Sequence, residues 1–441
     1  MDWDPKGWIF AISHDLTSDN PPPAARQRLI GNGSSRLMEG SLGLLHRCLA
    51  LLMFQESEIP GGAGLAPRGK TFGMINDTRL RESLEPRGTM EPALQPGLEP
   101  VTADGASGGG LAGVSGPGPA GSVYAALDLG TNNCRLLIAC PTGDGFRVVD
   151  SFSRIVRLGE GISTTGCISD AAMERAIAAL SICRDKIQSK RAKRLRLIAT
   201  EACRAASNAD GFRDRVAAET GIQLEVIDRE TEAALAVKGC SPLLDPHGRG
   251  AILFDIGGGS SELVRIARDP AEPGAEPRIK AWMSIPLGVV TLAEQFGGRD
   301  VTPEVYADMV EAVAEHVAPF AAAHGGDLDE MHLLGTSGTV TTLAGIHLNL
   351  SRYDRRRVDG IWINDAEITT TIARLLGMSY QERADNNCIS VDRADLVLAG
   401  CAILDAIRTA FPLPRLRVAD RGLREGMLVE MMREDGALRT A

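Results

Sequence analysis

The sequence lacks the short motifs that mark common metal sites. Its nine cysteines include no CxxC pair, and its seven histidines form neither HxxxH nor HExxH. Structural zinc is usually held by cysteine and histidine ligands at such spacings, so a zinc site is not expected. Scattered cysteines without a paired spacing are typical of a reducing compartment. We therefore expect a cytoplasmic protein.

Long hydrophobic runs and an excess of positive charge are also missing. The longest apolar stretch near the start, residues 41–54, contains His46 and Arg47. It is too short to span a bilayer and too far from Met1 for a signal peptide, so no membrane partner is expected. The formal net charge of −10 argues against a specific nucleic-acid partner. Any polyanionic ligand would have to be held by local donors.

The chain divides into two parts of different character. Residues 1–121 contain PPP at 21–23 and run into the glycine-rich stretch GASGGGLAGVSGPGPAGS at 105–122. They show no sustained periodicity apart from a short helix predicted at 41–54. This part is predicted to be a disordered or low-complexity extension. An overextended translation start is the alternative explanation for it.

Two glycine motifs in this extension match nucleotide-binding patterns but lack the structural context. GLAPRGKT at 64–71 fits GxxxxGK[ST], a pattern that functions only between a strand and a helix. Pro60 lies shortly before it and Pro67 lies within it. GGGLAG at 108–113 fits GxGxxG, but within a glycine-rich linker. We assign neither motif to a binding site.

From Tyr124 onward, predicted strands alternate with predicted helices, which indicates the α/β class. Strands are predicted for the segments YAALDLG, CRLLIAC, FRVVDSFSRIVRL, RLRLIAT, LEVID, AILFDIG, SSELVRIA, MHLLGTSG and RLRVAD. Helices are predicted near 170–190 (capped by Ser169), 208–219, 230–239, 303–323, 365–377, 392–410 and 423–434, with one more after MHLLGTSG.

One template occurs twice in this part of the chain. AALDLGTNNCRLLIA at 125–139 and ILFDIGGGSSELVRIA at 252–267 each give an aspartate, a glycine turn with small polar residues, and a second strand. Asp128 aligns with Asp255, and the copies lie about one small domain apart. Such self-similarity predicts two duplicated domains that face each other across a cleft. We place them at 122–240 and 241–441, with the terminal helix able to pack back on the first.

Both turns are suited to bind phosphate. Successive backbone N–H groups form a concavity for anions, and hydroxyl and amide side chains add donors. The aspartate at each strand end, Asp128 or Asp255, suits a hydrated Mg²⁺ ion, which takes one or two carboxylates. A third glycine turn, GTSGT at 335–339, strengthens this interpretation over that of plain capped hairpins. The phosphate-binding candidates are Gly130, Thr131, Asn132, Asn133, Gly257, Gly258, Gly259, Ser260, Ser261 and Gly338.

Six motifs occur in an order that resembles the exopolyphosphatase / guanosine pentaphosphate phosphatase (Ppx/GppA) family. They are DLGTNNCRLL, ATEACRAASN, ETEAALAV, DIGGGSSELV, PLGVVTLAEQF and GTSGTVTTLAGI. The resemblance covers roughly residues 122–436. It implies two ribonuclease-H-like, actin-like domains with a cleft between them, and a homodimer. It also implies Mg²⁺-dependent release of the terminal phosphate of polyphosphate, or of the 5′ γ-phosphate of guanosine pentaphosphate.

The resemblance implies that Glu232, in ETEAAL, is the catalytic glutamate, with Glu230 and Glu225 as nearby alternatives. The chemistry agrees with this residue type. A terminal phosphoanhydride requires in-line attack by water, while donors and metal stabilise charge on the non-bridging oxygens. A glutamate within hydrogen-bond reach of that water can act as its general base.

The resemblance assigns further roles and also shows departures. Asp255 and Glu262 match acids that handle metal or water, and Arg204 in ATEACR matches an arginine that faces phosphate. Asn133 and Cys134 stand where serine and an aromatic residue are frequent. Asparagine keeps a donor for phosphate, while the smaller cysteine changes the packing behind the turn. The chain also ends soon after the core, which argues against processive action on long polyphosphate.

Two basic stretches, CRDKIQSKRAKRLRL at 183–197 and RYDRRR at 352–357, could guide a polyanion to the cleft or be ordinary solvated surface.

Two rival functions stay open at this point. A sugar or acid kinase of the actin-like fold would need an aspartate base for a substrate hydroxyl, and Glu232 argues against it. A non-catalytic polyphosphate or alarmone sensor would keep the turns but tolerate the loss of Glu232.

Overall fold

The computed structural model describes residues 122–143, 145–269 and 276–438. The predicted extension, its helix at 41–54 and the motifs at 64–71 and 108–113 lie outside the described residues. Within the described residues, no helix combines the length and apolar character needed to cross a membrane. The predicted α/β class is confirmed, because the chain folds around two mixed sheets with helices between their strands.

The first sheet has five strands in the order β3-β2-β1-β4-β5. Its strands are β1 Tyr124–Leu129, β2 Asn133–Thr142, β3 Gly145–Ile155, β4 Arg194–Ala199 and β5 Glu225–Val226. The accompanying helices are α1 Ile162–Thr165, α2 Asp170–Ser189, α3 Glu201–Ala205, α4 Ala209–Thr220 and α5 Arg229–Cys240. β2 is antiparallel to β1, and β4 is parallel to it. Ser169 caps α2, as predicted, because its side chain accepts a hydrogen bond from the Ala172 N–H.

The second sheet has six strands in the order β10-β11-β9-β6-β7-β8. Its strands are β6 Gly250–Ile256, β7 Ser261–Ala267, β8 Arg278–Ile285, β9 Met331–Thr336, β10 Trp362–Asn364 and β11 Arg415–Ala419. The helices are α6 Val289–Phe296, α7 Pro303–His324, α8 Gly338–His347, α9 Arg355–Val358, α10 Asp365–Leu376, α11 Tyr380–Asp385, α12 Val397–Ala410 and α13 Leu423–Glu434.

The two sheets repeat one topology. In the first, β1 pairs antiparallel with β2 and parallel with β4. In the second, β6 pairs antiparallel with β7 and parallel with β9. Asp128 and Asp255 each stand one residue before the end of the central strand. The internal repeat seen in the sequence therefore places both aspartates at equivalent positions.

Several predicted elements differ from the structure in length; the strand predicted for FRVVDSFSRIVRL, for example, ends at Ile155. The strand predicted for LEVID at 224–228 is only Glu225–Val226, because it pairs with β4 at just two positions. The helix predicted at 392–410 begins at Val397. Before it, the N–H of Arg393 bonds to Ser390 O and that of Leu396 bonds to Arg393 O. These tighter three-residue turns delay the start of the regular helix.

The last helix, α13, follows the second sheet but packs on the first. Its Leu423, Met427 and Met431 share one apolar cluster with Tyr124 and Leu137 of the first sheet. The helix also lies very close to α5: a Cβ atom on Gly426 would stand 2.0 Å from the carbonyl oxygen of Leu235. Glycine at 426 is therefore required by close helix packing, which ties the end of the chain to the first sheet.

Candidate active site

Two hairpin turns of equal geometry form the centre of the site. Residues 130–133 connect β1 to β2, and residues 257–260 connect β6 to β7. In the first turn the Gly130 N–H donates to Asn133 O, and in the second the Gly257 N–H donates to Ser260 O, both at 2.9 Å. The repeat therefore extends from the sequence to the backbone hydrogen bonds.

In the first hairpin turn, the carbonyl groups of Thr131 and Asn132 accept hydrogen bonds from backbone N–H groups of residues 156–159. Thr131 O accepts from the Gly159 N–H at 2.9 Å, and Asn132 O accepts from the N–H groups of Val156 and Arg157 at 2.9 and 3.0 Å. Within the described part of the chain, the N–H groups of Thr131 and Asn132 have no hydrogen-bond acceptor. The turn therefore presents two backbone donors that no protein acceptor uses, as an anion site requires.

The second turn is supported in the same way. Gly257 O accepts from the Val289 N–H at 2.9 Å, and Gly258 O accepts from the Val290 N–H at 2.8 Å. Val289 and Val290 are the first two residues of α6. The N–H groups of Gly258, Gly259 and Ser260 have no acceptor among the described residues. Two separate segments, 156–159 and 288–290, thus leave both turns rich in free donors.

The glycines of the second turn are required by close approach to the first turn. A Cβ atom on Gly258 would lie 3.0 Å from Thr131 Cβ and 3.1 Å from Asn132 N. One on Gly259 would lie 2.9 Å from Thr131 Oγ1. Neither glycine has a positive φ, so backbone freedom is not the reason for them. The two turns face each other at contact distance, and side chains here would push them apart.

A cavity of about 810 Å³ opens around these turns. Most predicted site residues line it. They are Asp128, Gly130, Thr131, Asn132, Asn133, Glu232, Asp255, Gly257, Gly258, Gly259, Ser260 and Gly338. Three others, Arg204, Ser261 and Glu262, are not among its lining residues. Gly338 begins α8, where Ser337 caps the helix by accepting from the Val340 N–H.

Three side-chain oxygen atoms of the first hairpin turn are left without hydrogen-bond partners among the described residues. Thr131 Oγ1, Asn132 Oδ1 and Asn133 Oδ1 are buried and have no hydrogen bond within the described residues. Buried polar atoms are normally satisfied, and each exception needs an explanation. Here all three lie on one turn at the wall of one cavity, which indicates that a polar ligand or bound water completes them.

Glu232 projects into the cavity from the first turn of α5. Asp228 caps this helix by accepting from the Thr231 N–H at 2.7 Å. The Glu232 carboxylate accepts from Arg204 Nη2 at 2.7 Å. Burial, followed by the nearby charge of Glu262, raises the pKa of Glu232 to about 8, although Arg204 opposes this. A buried carboxyl with a pKa near neutrality is suited to act as a general base.

Asp255 and Glu262 stand directly opposite each other in the second hairpin. Glu262 Oε1 accepts from the hydroxyls of Ser260 and Ser284 at 2.8 and 2.9 Å. Burial, then the charge of Asp255, raises the pKa of Glu262 to about 7. Burial, then the charge of Glu232, raises the pKa of Asp255 to about 7. Burial likewise raises the pKa of Asp128. Burial therefore makes the ionised form of these acids costly, although Arg135 partly opposes the shifts of Asp128 and Asp255.

The donor set fits a magnesium ion only in a particular way. Among the described residues, no three His, Cys, Asp or Glu side chains are grouped so that they could hold a metal by themselves. Mg²⁺ commonly takes one or two carboxylates and completes its shell with water and substrate phosphates. Asp128 and Asp255 line the cavity and fit that pattern. Glu262 is 2% exposed, is not among the cavity-lining residues, and its Oε1 already accepts two hydroxyl hydrogen bonds, so Asp128 and Asp255 are the better-placed ligands.

The sequence motifs did not identify three arginines that could bind phosphate. Arg135, Arg393 and Arg424 line the cavity. Burial lowers the pKa of Arg393 and Arg424, and the charge of Arg135 lowers both further. Neither Arg393 nor Arg424 forms an ion pair within the described residues. Of the two basic stretches, only 352–357 contributes to the lining, through Tyr353 and Arg355. Strand alternation could have identified Arg135, because it pairs with Asp128 across the first hairpin.

Comparison with known proteins identifies the family. The model of the Ppx/GppA phosphatase family matches residues 137–435. The guanosine-5′-triphosphate,3′-diphosphate pyrophosphatase of Vibrio vulnificus is 28% identical over 316 residues, which cover 71% of this chain and 60% of that protein. Exopolyphosphatase 2 of Mycobacterium tuberculosis is 29% identical over 322 residues, which cover 70% of this chain and 98% of that protein.

The fold comparison agrees. The crystal structure of the Aquifex aeolicus member of the Ppx/GppA family has a TM-score of 0.60 and 29% identity, and the match covers 71% of this chain and 98% of that one. The chain spans about 60% of the length of the Vibrio relative. The two-sheet architecture that the motifs implied is confirmed. The chain belongs to the Ppx/GppA phosphatase family.

Proposed function

We propose that the chain is a hydrolase that releases the terminal phosphate of inorganic polyphosphate, the 5′ γ-phosphate of guanosine pentaphosphate, or both. The observation that carries this proposal is the position of Glu232. It lines the same cavity as two turns with free N–H groups, and its pKa is raised to about 8. A base beside a double anion site is the arrangement that water attack on a terminal phosphate requires.

In this proposal each group has one task. The free N–H groups of Thr131, Asn132 and Gly258–Ser260 hold the non-bridging oxygens of the terminal phosphate and stabilise their charge in the transition state. Glu232, in its ionised form, accepts a proton from the attacking water. Arg135, Arg393 and Arg424 bind the phosphates that follow the terminal one.

Magnesium belongs to the same proposal. Asp128 and Asp255 would hold a hydrated Mg²⁺, which would supply positive charge next to the phosphate oxygens. Their raised pKa values support this, because a cation would offset the cost of burying two carboxylates close to Glu232.

The test is phosphate release by the purified chain with Mg²⁺, using short polyphosphate, long polyphosphate and guanosine pentaphosphate. Glu232→Gln is expected to lower kcat by about 100-fold or more, because general-base catalysis typically contributes that much. Its matched control is Glu230→Gln in the same helix turn. Glu230 is exposed and does not line the cavity, so this variant should keep kcat within about twofold of the parent.

Binding separates the catalytic function from that of a sensor. The Glu232→Gln protein is expected to bind the preferred substrate with a dissociation constant within a few-fold of the parent, measured by calorimetry. An unchanged kcat in Glu232→Gln would refute the assignment of the base. Tight binding without any phosphate release by the parent protein would refute hydrolysis and favour a sensor.

A further inference from the structure

Arg204 uses its guanidinium group mainly on protein partners. Its Nε donates to Glu201 Oε2 at 2.9 Å, its Nη1 donates to the carbonyl oxygen of Ile227 at 2.8 Å, and its Nη2 donates to Glu232 Oε2 at 2.7 Å. A guanidinium has five N–H donors in a fixed planar fork. With partners at all three nitrogens, the orientation of this side chain is set before any substrate arrives.

Glu201 is itself held in place. Arg229 Nη2 donates to Glu201 Oε1 at 2.7 Å, and Arg229 Nε donates to Glu201 Oε2 at 3.2 Å. This bidentate contact fixes the plane of the carboxylate. The Glu201 side chain is 13% exposed, whereas that of Arg229 is 44% exposed. The outer residue of the pair therefore faces solvent and the inner residue faces the site.

These four residues come from two short segments that lie against each other. Glu201 and Arg204 are three residues apart in α3, and Arg229 and Glu232 are three residues apart at the start of α5. Residues at this spacing lie on one face of a helix. The contacts alternate in charge, from Arg229 to Glu201 to Arg204 to Glu232. We call this arrangement the charged row of positions 229, 201, 204 and 232.

We propose that Glu201 and Arg229 are positioning residues, which orient Arg204 so that its Nη2 holds the Glu232 carboxylate in the place needed for water attack. This inference rests on the proposed function of Glu232. It also gives Arg204 a different main task from the phosphate contact predicted by its motif, because few of its donors remain for a ligand.

Stability alone is a poor explanation for this row. Partly buried ion pairs often contribute little net stability, since the cost of removing charges from water offsets their attraction. Geometry is a better explanation, because a displacement of about 1 Å in a catalytic group can cost about 100-fold in rate. If Glu201 were removed, Arg204 would keep only one anionic side chain and could rotate away from the alignment seen here.

The kinetic test compares Glu201→Gln, Arg229→Gln and the double variant. Glu201→Gln is expected to lower kcat about tenfold and to change KM less than about threefold, because the N–H groups and arginines assigned to phosphate binding are unchanged. Arg229→Gln is expected to lower kcat about threefold. The double variant should be no slower than Glu201→Gln, because Arg229 acts through Glu201. Glu219→Gln and Arg213→Gln make the same charge changes on α4 and should leave kcat unchanged.

A second measurement does not depend on activity. The Nε–H of Arg204, followed by NMR of protein labelled with ¹⁵N-arginine and assigned with Arg204→Lys, reports how firmly that side chain is held. In Glu201→Gln its exchange with solvent is expected to be at least about tenfold faster than in the parent, and in Glu219→Gln unchanged. This readout decides about positioning even if the parent releases no phosphate, which would count against the proposed function alone.

The outcomes are distinct. A tenfold fall in kcat with a mobile Arg204 in Glu201→Gln, and no additional loss in the double variant, supports the proposal. A kcat within twofold of the parent, a protected Nε–H in Glu201→Gln, or losses that multiply in the double variant would overturn it. If Glu201→Gln does not fold, the mostly exposed change Arg229→Gln decides in its place, and an unchanged kcat there overturns the proposal.

Discussion

Removal of the Glu262 charge should stabilise the protein, and should do so more strongly as the pH rises. Glu262 is 2% exposed and its pKa is raised from 4.5 to about 7 by burial and by Asp255. Glutamine has nearly the same shape and keeps an oxygen that can accept from the hydroxyls of Ser260 and Ser284. The variant Glu262→Gln therefore removes the charge with little change in packing or hydrogen bonding.

The sign follows from proton linkage. Between pH 4.5 and about 7, the unfolded chain has released the proton of Glu262 while the folded protein retains it. Raising the pH through this window therefore favours the unfolded state, and the loss is complete above the folded pKa. At about 1.4 kcal/mol per pKa unit, the loss is about 1 kcal/mol at pH 5.5 and about 3 kcal/mol at pH 8. Glutamine does not titrate and escapes this loss.

The assay is urea unfolding of the parent and of Glu262→Gln at pH 5.5 and pH 8, with a chelator present. The variant should be more stable at both values, with a difference larger by about 2 kcal/mol at pH 8. Glu315→Gln, an exposed position on α7, is the control for the change in net charge, and the advantage of Glu262→Gln should exceed any that this control shows. The reasoning is refuted if Glu262→Gln is less stable than the parent at pH 8, or if its advantage does not grow with pH.

Two further predictions concern the supports of the turns. Gly288→Ala should lower kcat/KM at least tenfold, because the new Cβ would lie 2.4 Å from the backbone of Gly258 and displace the second turn. Gly211→Ala, where the Cβ meets nothing within 4 Å, is the matched control, and equal phosphate release by both variants would contradict the prediction. Glu294→Gln should raise KM about twofold and leave kcat unchanged. The exposed Glu294 side chain, on α6 beside the second turn, accepts a hydrogen bond from Ser163 Oγ in α1, which accompanies the first sheet. The expected effect is small because exposed contacts of this kind are weak. A steady-state measurement with no change in KM would show that this link does not help to close the site.

Local sequence patterns were sufficient for much of the fold. The alternation of apolar residues in the segments at 125–139 and 252–267 predicted both hairpins, since side chains on a strand alternate between its two faces. The alignment of Asp128 with Asp255 predicted their equivalent positions, which the two sheets confirm. Ser169 predicted the start of α2 because capping depends only on residues within one turn of the helix.

The tertiary structure decided which of these residues act together. Arg204 and Glu232 meet because the fold brings the side chains of α3 to the first residues of α5, and no periodicity encodes that contact. Arg393 and Arg424 come from distant parts of the chain to line the cavity next to Arg135. The pKa values of the acids also depend on burial and on nearby charges. The effect of a charge decreases with its distance in space, and that distance cannot be read from the separation along the sequence. The sequence by itself therefore determined the elements and the types of chemical group, and folding determined the distances that turn those groups into a site.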